Sequence, residues 1–345
     1  MVKNRTMARN IFIAVVLSLS AFAIIGRGEM ITALKKVGSI PLYIWFVGIA
    51  LIATKWVVEA LNFYILIRSK GYKPKFLSIL KFSIASYLFH YITPFQSGGQ
   101  AFQIYYLSLM SIPPGTATGI IVIKSLMFQI AIITALILSI PFMGFMVHLG
   151  INRFIWFAIT LASLLILLYI FAASHHVWRS SISKKIRGIL YTRYRKVYIK
   201  IARELMLFRQ MWKTTPHYII IIGSLISFIQ ISLFISPLIV VLHYLHPDIK
   251  IFRTFEMALI SDIIGGLVPT PGGSGGVESV MALVLSALGI PRADVLLSVG
   301  IWRLLAYYMP IGAGMIALLL MGIDHPEDFI GQRHKKEEGP SVGKE

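Results

Sequence analysis

TATGIIVIKSLMFQIAIITALILSIPFMGFMV, residues Thr116–Val147, carries a single charged side chain, Lys124, in thirty-two positions. A helix rises about 1.5 Å per residue, so roughly 20 apolar residues cross the ~30 Å hydrocarbon of a bilayer. This run is longer than that. Comparable runs occur at Ile11–Ile25, Leu42–Ile67, Phe154–Ala173, Tyr218–Leu242 and Val295–Met321. Across all 345 residues 57% are hydrophobic and 14% charged, against about 25% charged in a soluble domain. Too little polar surface exists to cover the chain in water. Period-two alternation is absent, which excludes a barrel. Helices are what remain, because a backbone in lipid must satisfy its own polar groups. The fold class read from the sequence is therefore an all-α integral membrane protein.

The formal net charge of +19 does not point to nucleic acid, because the basic residues sit in short segments flanking apolar spans. There they orient the chain and meet anionic headgroups. No cysteine is present, which removes disulfides, thiolate catalysis and thiolate metal sites. His175-His176 and His243-x-x-His246 have no carboxylate in helical register, so no metal site is expected. GGSGG lacks the Lys-Ser/Thr of a phosphate-binding P-loop. No cofactor is implied. The first span follows Lys3, Arg5 and Arg9 like a signal peptide, but no small-residue cleavage site follows it, and it reads as a retained helix.

Charge sets the orientation. The N-terminus, the 68–75 loop, the 174–216 segment and the tail after Asp324 hold 22 Lys and Arg, whereas 27–40, 148–153, 243–253 and Arg292 hold seven. The first group is placed in the cytoplasm of a plasma-membrane protein, both termini included. The stretch 76–112 must then enter and leave on one side, and 251–292 on the other. This predicts about eight spans, two of them broken or re-entrant. Residues 178–216 carry apolar positions at helical spacing among many Lys and Arg, which predicts a basic amphipathic helix on the inner leaflet. It serves either as a lipid sensor or as a topology anchor. The resulting organisation is a first membrane half at 1–177, the helix at 178–216, a second membrane half at 217–323 and a disordered tail at 324–345.

The two turning points match. TPFQSGGQ (Thr93–Gln100) and TPGGSGGV (Thr270–Val277) align Pro94, Ser97, Gly98 and Gly99 with Pro271, Ser274, Gly275 and Gly276. Ile112-Pro113 mirrors Ile290-Pro291, and Lys124 mirrors Arg303, with one-residue slips. Two similar broken helices entering from opposite faces predict an inverted-topology repeat, whose interface is where transporters hold substrate. A chance match and a packing hinge at each tip are the plain alternatives. Glycine breaks bare backbone N–H groups at helix starts, which favours an anion such as a lipid phosphate.

Ionisable residues inside hydrocarbon are candidates by default. Lys55 and Glu59, four apart, are expected to form an intrahelical ion pair, while Lys81 and Glu256 snorkel from span ends. Asp262 and Glu278 are expected to pair with Lys124 and Arg303. The candidate substrate site comprises Gln96, Ser97, Gly98, Gly99, Gln100, Gln103, Pro271, Gly272, Gly273, Ser274, Gly275, Gly276, Lys124 and Arg303. Asp262, Glu278 and Glu59 are candidates for gating or proton coupling.

With TPFQSGGQAFQIYYLS (Thr93–Ser108), LVPTPGGSGGVE (Leu267–Glu278) and Ile301-Trp302-Arg303, the chain resembles the lysylphosphatidylglycerol synthase/flippase-like transmembrane proteins, also called UPF0104, over residues 10–322. The resemblance implies a membrane half that moves an aminoacylated phosphatidylglycerol outward, joined in relatives to a soluble aminoacyltransferase domain. That domain is expected to be absent here, since the chain ends shortly after its last span. The function this suggests is translocation of a phospholipid or polyprenyl-linked lipid between leaflets. Two other classes stay open: a lipid-modifying transferase, and an accessory scaffold for a separate synthase or glycosyltransferase.

Overall fold

The computed structural model describes residues 28–93, 97–138 and 210–322, together with single helical positions between 10 and 24 and between 156 and 206. The expected first span, the Phe154–Ala173 span, the 178–213 helix and the tail lie wholly or mostly outside the described residues. Among the described residues every regular element is helical: α1 (Glu29–Lys36), α2 (Leu42–Arg68), α3 (Phe76–Ile92), α4 (Ser97–Leu109), α5 (Pro114–Leu138), α6 (His217–Leu245), α7 (Ile251–Gly265), α8 (Gly276–Ser286), α9 (Arg292–Arg303), a π-helical turn (Leu304–Tyr308) and α10 (Met309–Leu320). Among the described residues four stretches are long and apolar enough to cross a membrane: α2, α5, α6 and the continuous run Arg292–Leu320. The chain is a multi-pass helical membrane protein.

The sequence dictates these boundaries locally. Pro41, Pro216 and Pro291 sit at the starts of α2, α6 and α9, where a missing N–H costs nothing. Pro237 lies inside α6, and hydroxyls nearby stay within the helix, Ser236 donating to the Ser232 carbonyl at 2.7 Å and Ser232 to Phe228 at 3.0 Å. Such back-bonding hides hydroxyls that lipid could not solvate. Large apolar side chains point outward, among them Phe46, Ile221 and Leu319, 63%, 61% and 69% exposed. On a soluble protein so much apolar surface would drive aggregation; here it faces acyl chains.

α2 lies along α6 at the centre, α3 packs on α4 and on α10, and α7 packs on α8. One apolar core joins the first half of α2 to α6, α7, α8 and α9; a second joins the rest of α2 to α3, α4, α5 and α10. Trp56 packs against both. Lys70, just past α2, donates to the Met211 carbonyl and to the hydroxyls of Thr214 and Thr215, fastening the end of α2 to the segment that leads into α6.

α3, α4, α7 and α8 have 17, 13, 15 and 11 residues, each shorter than a full crossing. They form two packed pairs, α3 with α4 and α7 with α8, joined by the glycine stretches. Both pairs end alike. α4 terminates at Ser111 with φ 61, followed by Ile112-Pro113; α8 terminates at Gly289 with φ 87, followed by Ile290-Pro291. A left-handed residue closes the helix, and proline starts the next.

Candidate functional site

The second tip, Gly266–Gly275, turns sharply between α7 and α8. Gly272 has φ 58, and the Tyr307 ring occupies the space a β-carbon there would need. Only glycine meets both demands. Glu278, in the first turn of α8, accepts the Gly275 N–H at 2.8 Å, so the carboxylate caps its own helix. The guanidinium of Arg303 at the end of α9 straddles that carboxylate, with Nε 2.9 Å from one oxygen and Nη2 donating to the other at 3.0 Å. Its remaining N–H groups reach the carbonyls of Gly272 and Gly273 at 3.3 and 3.4 Å. The two side chains are 4% and 0% exposed. A planar fork suits such a two-sided grip.

The π-helical turn follows Arg303 directly and carries Tyr307. Its hydroxyl is shared between the carbonyls of Tyr91, at the end of α3, and Pro271 in the tip, 3.0 and 3.2 Å away. Tyr307 therefore ties the second tip to the base of the first. π turns commonly mark such functional irregularities.

At the first tip Thr93 donates to the Phe89 carbonyl at 2.7 Å and accepts the Gly98 N–H at 2.9 Å. The His90 ring lies where a β-carbon on Gly99 would stand. Gln103 is buried and donates to Ser86 at 3.1 Å, with His90 Nε2 3.4 Å away. Gln100 is exposed and lies 3.4 Å from Ser125 on α5. Gln96 lies outside the described residues, and of Ser97 only the backbone at the start of α4 is described.

Backbone N–H groups at the second tip are largely occupied. Gly273, Ser274, Gly276 and Val277 donate to carbonyls within the loop, and Gly275 to Glu278. Charge recognition at this tip thus falls to side chains rather than to a bare amide cradle.

Below the first tip lies a second ion pair. Lys124 on α5 meets Glu59 on α2 at 2.5 Å, the side chains 12% and 3% exposed, and sits over the Phe63 ring at 4.6 Å. Tyr87 donates to the other Glu59 oxygen and accepts from Lys55 at 2.8 Å. The expected direct pair between Lys55 and Glu59 is replaced by this relay, because the Tyr87 hydroxyl stands between them. Lys124, expected opposite Asp262 or Glu278, instead finds its carboxylate on α2, which packs against it. Asn62 continues the polar stripe and fastens α2 to α6 through the Gly223 carbonyl and Ser227. Glu256, expected to snorkel, is buried at 2% exposure.

Tyr87 and Tyr91 stack at 5.7 Å, and Tyr91 meets Tyr307 at 4.7 Å. This tyrosine row joins the two ion pairs into one buried layer. Asp262, partly buried near the end of α7, lies within electrostatic reach of Arg303, Lys55 and Glu278. It has no ion pair or side-chain hydrogen bond among the described residues. The three tyrosines were not singled out from the sequence. Their signal was present as spacing: Lys55/Glu59, Tyr87/Tyr91 and Arg303/Tyr307 are each four apart, on one helical face. Among the described residues no group of three or more His, Asp and Glu is placed to hold a metal ion.

Similarity to known proteins covers this whole arrangement. A UPF0104 membrane protein of Archaeoglobus fulgidus is 29% identical over 276 residues, 76% of this chain and 82% of that protein. Another, from Methanocaldococcus jannaschii, is 25% identical over 312 residues, 88% of this chain and 91% of its own. A phosphatidylglycerol lysyltransferase of Staphylococcus haemolyticus is 32% identical over 174 residues, 47% of this chain but 18% of that longer protein. Residues 10–314 match the family described as the lysylphosphatidylglycerol synthase TM region, a span that takes in both tips and both ion pairs; the chain belongs to that family.

Proposed function

We propose that this protein moves an anionic phospholipid or polyprenyl-phosphate lipid between membrane leaflets. The observation that carries the reading is the buried layer in which Lys124–Glu59 and Arg303–Glu278 lie beneath two glycine-broken tips and are joined through Tyr87, Tyr91 and Tyr307. Buried cations in hydrocarbon are costly and mark substrate paths. Two held in place by exchangeable carboxylates suit a phosphate that arrives and leaves. Under this reading Lys124 and Arg303 take the phosphate, Gln100, Gln103 and the tip backbones from Gln96–Gly99 and Pro271–Gly276 shape the headgroup site, and Glu59, Glu278 and Asp262 gate it.

The same reading takes the chain as an inverted repeat of about eight spans with cytoplasmic termini in the plasma membrane. Supporting it is the shared order of parts: short helix, glycine tip, short helix, left-handed residue, Ile-Pro, then a span bearing one buried cation. Mass spectrometry of lipid that co-purifies with the protein tests the proposal. A stoichiometric anionic phospholipid or polyprenyl phosphate is the expected result; only bulk lipid in bulk proportions would sink it.

A second reading is favoured by the Staphylococcus haemolyticus relative, whose name is a lysyltransferase. The chain would then act with lipid aminoacylation, alone or beside a partner synthase or glycosyltransferase. Formation of a modified lipid in a defined extract, or a stable co-purifying enzyme without lipid movement, would favour it.

A further inference from the structure

Among the described residues the buried layer carries as many negative as positive side chains. Its described members are the cations Lys55, Lys124 and Arg303 and the carboxylates Glu59, Asp262 and Glu278, three of each. Two carboxylates are committed: Glu59 to Lys124 and Tyr87, Glu278 to Arg303 and the Gly275 N–H. The leftover charges are Lys55, buried, among the described residues hydrogen-bonded only to Tyr87 and stacked over its ring at 4.0 Å, and Asp262. These two sense each other without touching. Asp262 is also the least enclosed carboxylate of the three, partly buried where the other two are fully buried. From the elements packed around it, the groups facing Asp262 are Arg303 on α9, Lys55 on α2, Glu278 on α8 and Tyr91 on α3. Of the other helices packed on α7, α5 carries Lys124, held by Glu59, and α6 carries no Asp, Glu, Lys or Arg.

A headgroup with one net negative charge entering this neutral layer leaves an uncompensated charge in a medium that tolerates none. We propose that the site takes a singly anionic phosphodiester together with one proton, and that Asp262 is the residue that binds the proton. A zwitterionic headgroup, bringing its own cation, takes none. Protonated Asp262 no longer balances Lys55, and the positive charge this leaves in the layer is offset by the phosphate held at Lys124 and Arg303. The inference rests on the lipid-binding reading above and adds the co-substrate.

The test uses the full-length protein in phosphatidylcholine nanodiscs, titrated with short-chain phosphatidylglycerol and, separately, short-chain phosphatidylethanolamine. Calorimetry in buffers of different ionisation enthalpy counts protons. Phosphatidylglycerol should bind with uptake of one proton and weaken about tenfold per pH unit where Asp262 must be protonated; phosphatidylethanolamine should bind with none. Asp262→Asn should bind phosphatidylglycerol without uptake, and Asp262→Glu should restore it. Phosphatidylglycerol binding without proton uptake in the wild type, or uptake that persists in Asp262→Asn, overturns the proposal while leaving the lipid site standing. No binding of either lipid overturns the lipid-binding reading and this inference with it.

Discussion

Removing the Glu278 carboxylate is the sharpest perturbation the second tip offers. In Glu278→Gln the Arg303 guanidinium keeps only the Gly272 and Gly273 carbonyls, both at the long end of hydrogen bonding at 3.3 and 3.4 Å. With both side chains almost fully buried, water cannot take the carboxylate's place, and a buried orphaned charge costs roughly 3–5 kcal/mol. Arg303→Gln leaves the opposite orphan. That loss should be smaller, because Glu278 retains the Gly275 N–H. The double variant leaves no charge behind, so its loss should fall short of the sum of the singles by roughly 2–3 kcal/mol. Reversible unfolding in mixed micelles reads this through tryptophan fluorescence, since Trp302 adjoins Arg303 and is pinned to the Phe234 carbonyl at 2.8 Å. Lipid transport should be lost in all three variants even where stability returns. Strictly additive stability losses would refute the claim that the two side chains carry one shared interaction.

Tyr87→Phe removes the hydroxyl that Lys55 donates to and that feeds Glu59; it should cost about 1–3 kcal/mol in the same unfolding assay, more than Tyr64→Phe, whose hydroxyl contacts exposed Arg68. Gly98→Leu puts a β-carbon 2.6 Å from Thr93 Cγ2, and Gly275→Leu forces a branched side chain to φ 85; both should abolish lipid movement in liposomes while membrane insertion persists. Single cysteines at Ser180 and His246, in a chain that has none of its own, should label with an impermeant reagent on intact cells only at 246. Labelling at 180 would overturn the orientation and the inverted repeat with it.

The four spans within the described residues were legible because length and apolarity are nearly sufficient in lipid: Leu42–Ile67 and Val295–Met321, read as runs, reappear as Leu42–Arg68 and Arg292–Leu320. The tips were legible because glycine and proline cluster there, whereas the lone Pro237 stays inside α6. Ion pairs were only half legible. Glu278 with Arg303 was within reach because each flanks a landmark, but Glu59 with Lys124 joins α2 to α5 across 65 positions, a proximity only packing decides. Tyr87 intercepts Lys55 for the same reason: the spacing puts Lys55 and Glu59 on one face, and α3 then supplies a competitor. The π-helical turn that aims Tyr307 at the tip leaves no signature in hydropathy at all.

The central claim, movement of lipid between leaflets, is tested most directly by reconstituting the purified protein in liposomes whose two leaflets carry a fluorescent phosphatidylglycerol, then adding an impermeant quencher. The account predicts that the protected inner-leaflet fraction falls in proportion to protein per vesicle, and that Glu278→Gln/Arg303→Gln protein at equal density leaves it unchanged. A protected fraction identical to that of empty liposomes, with folded wild-type protein in every vesicle, would contradict it.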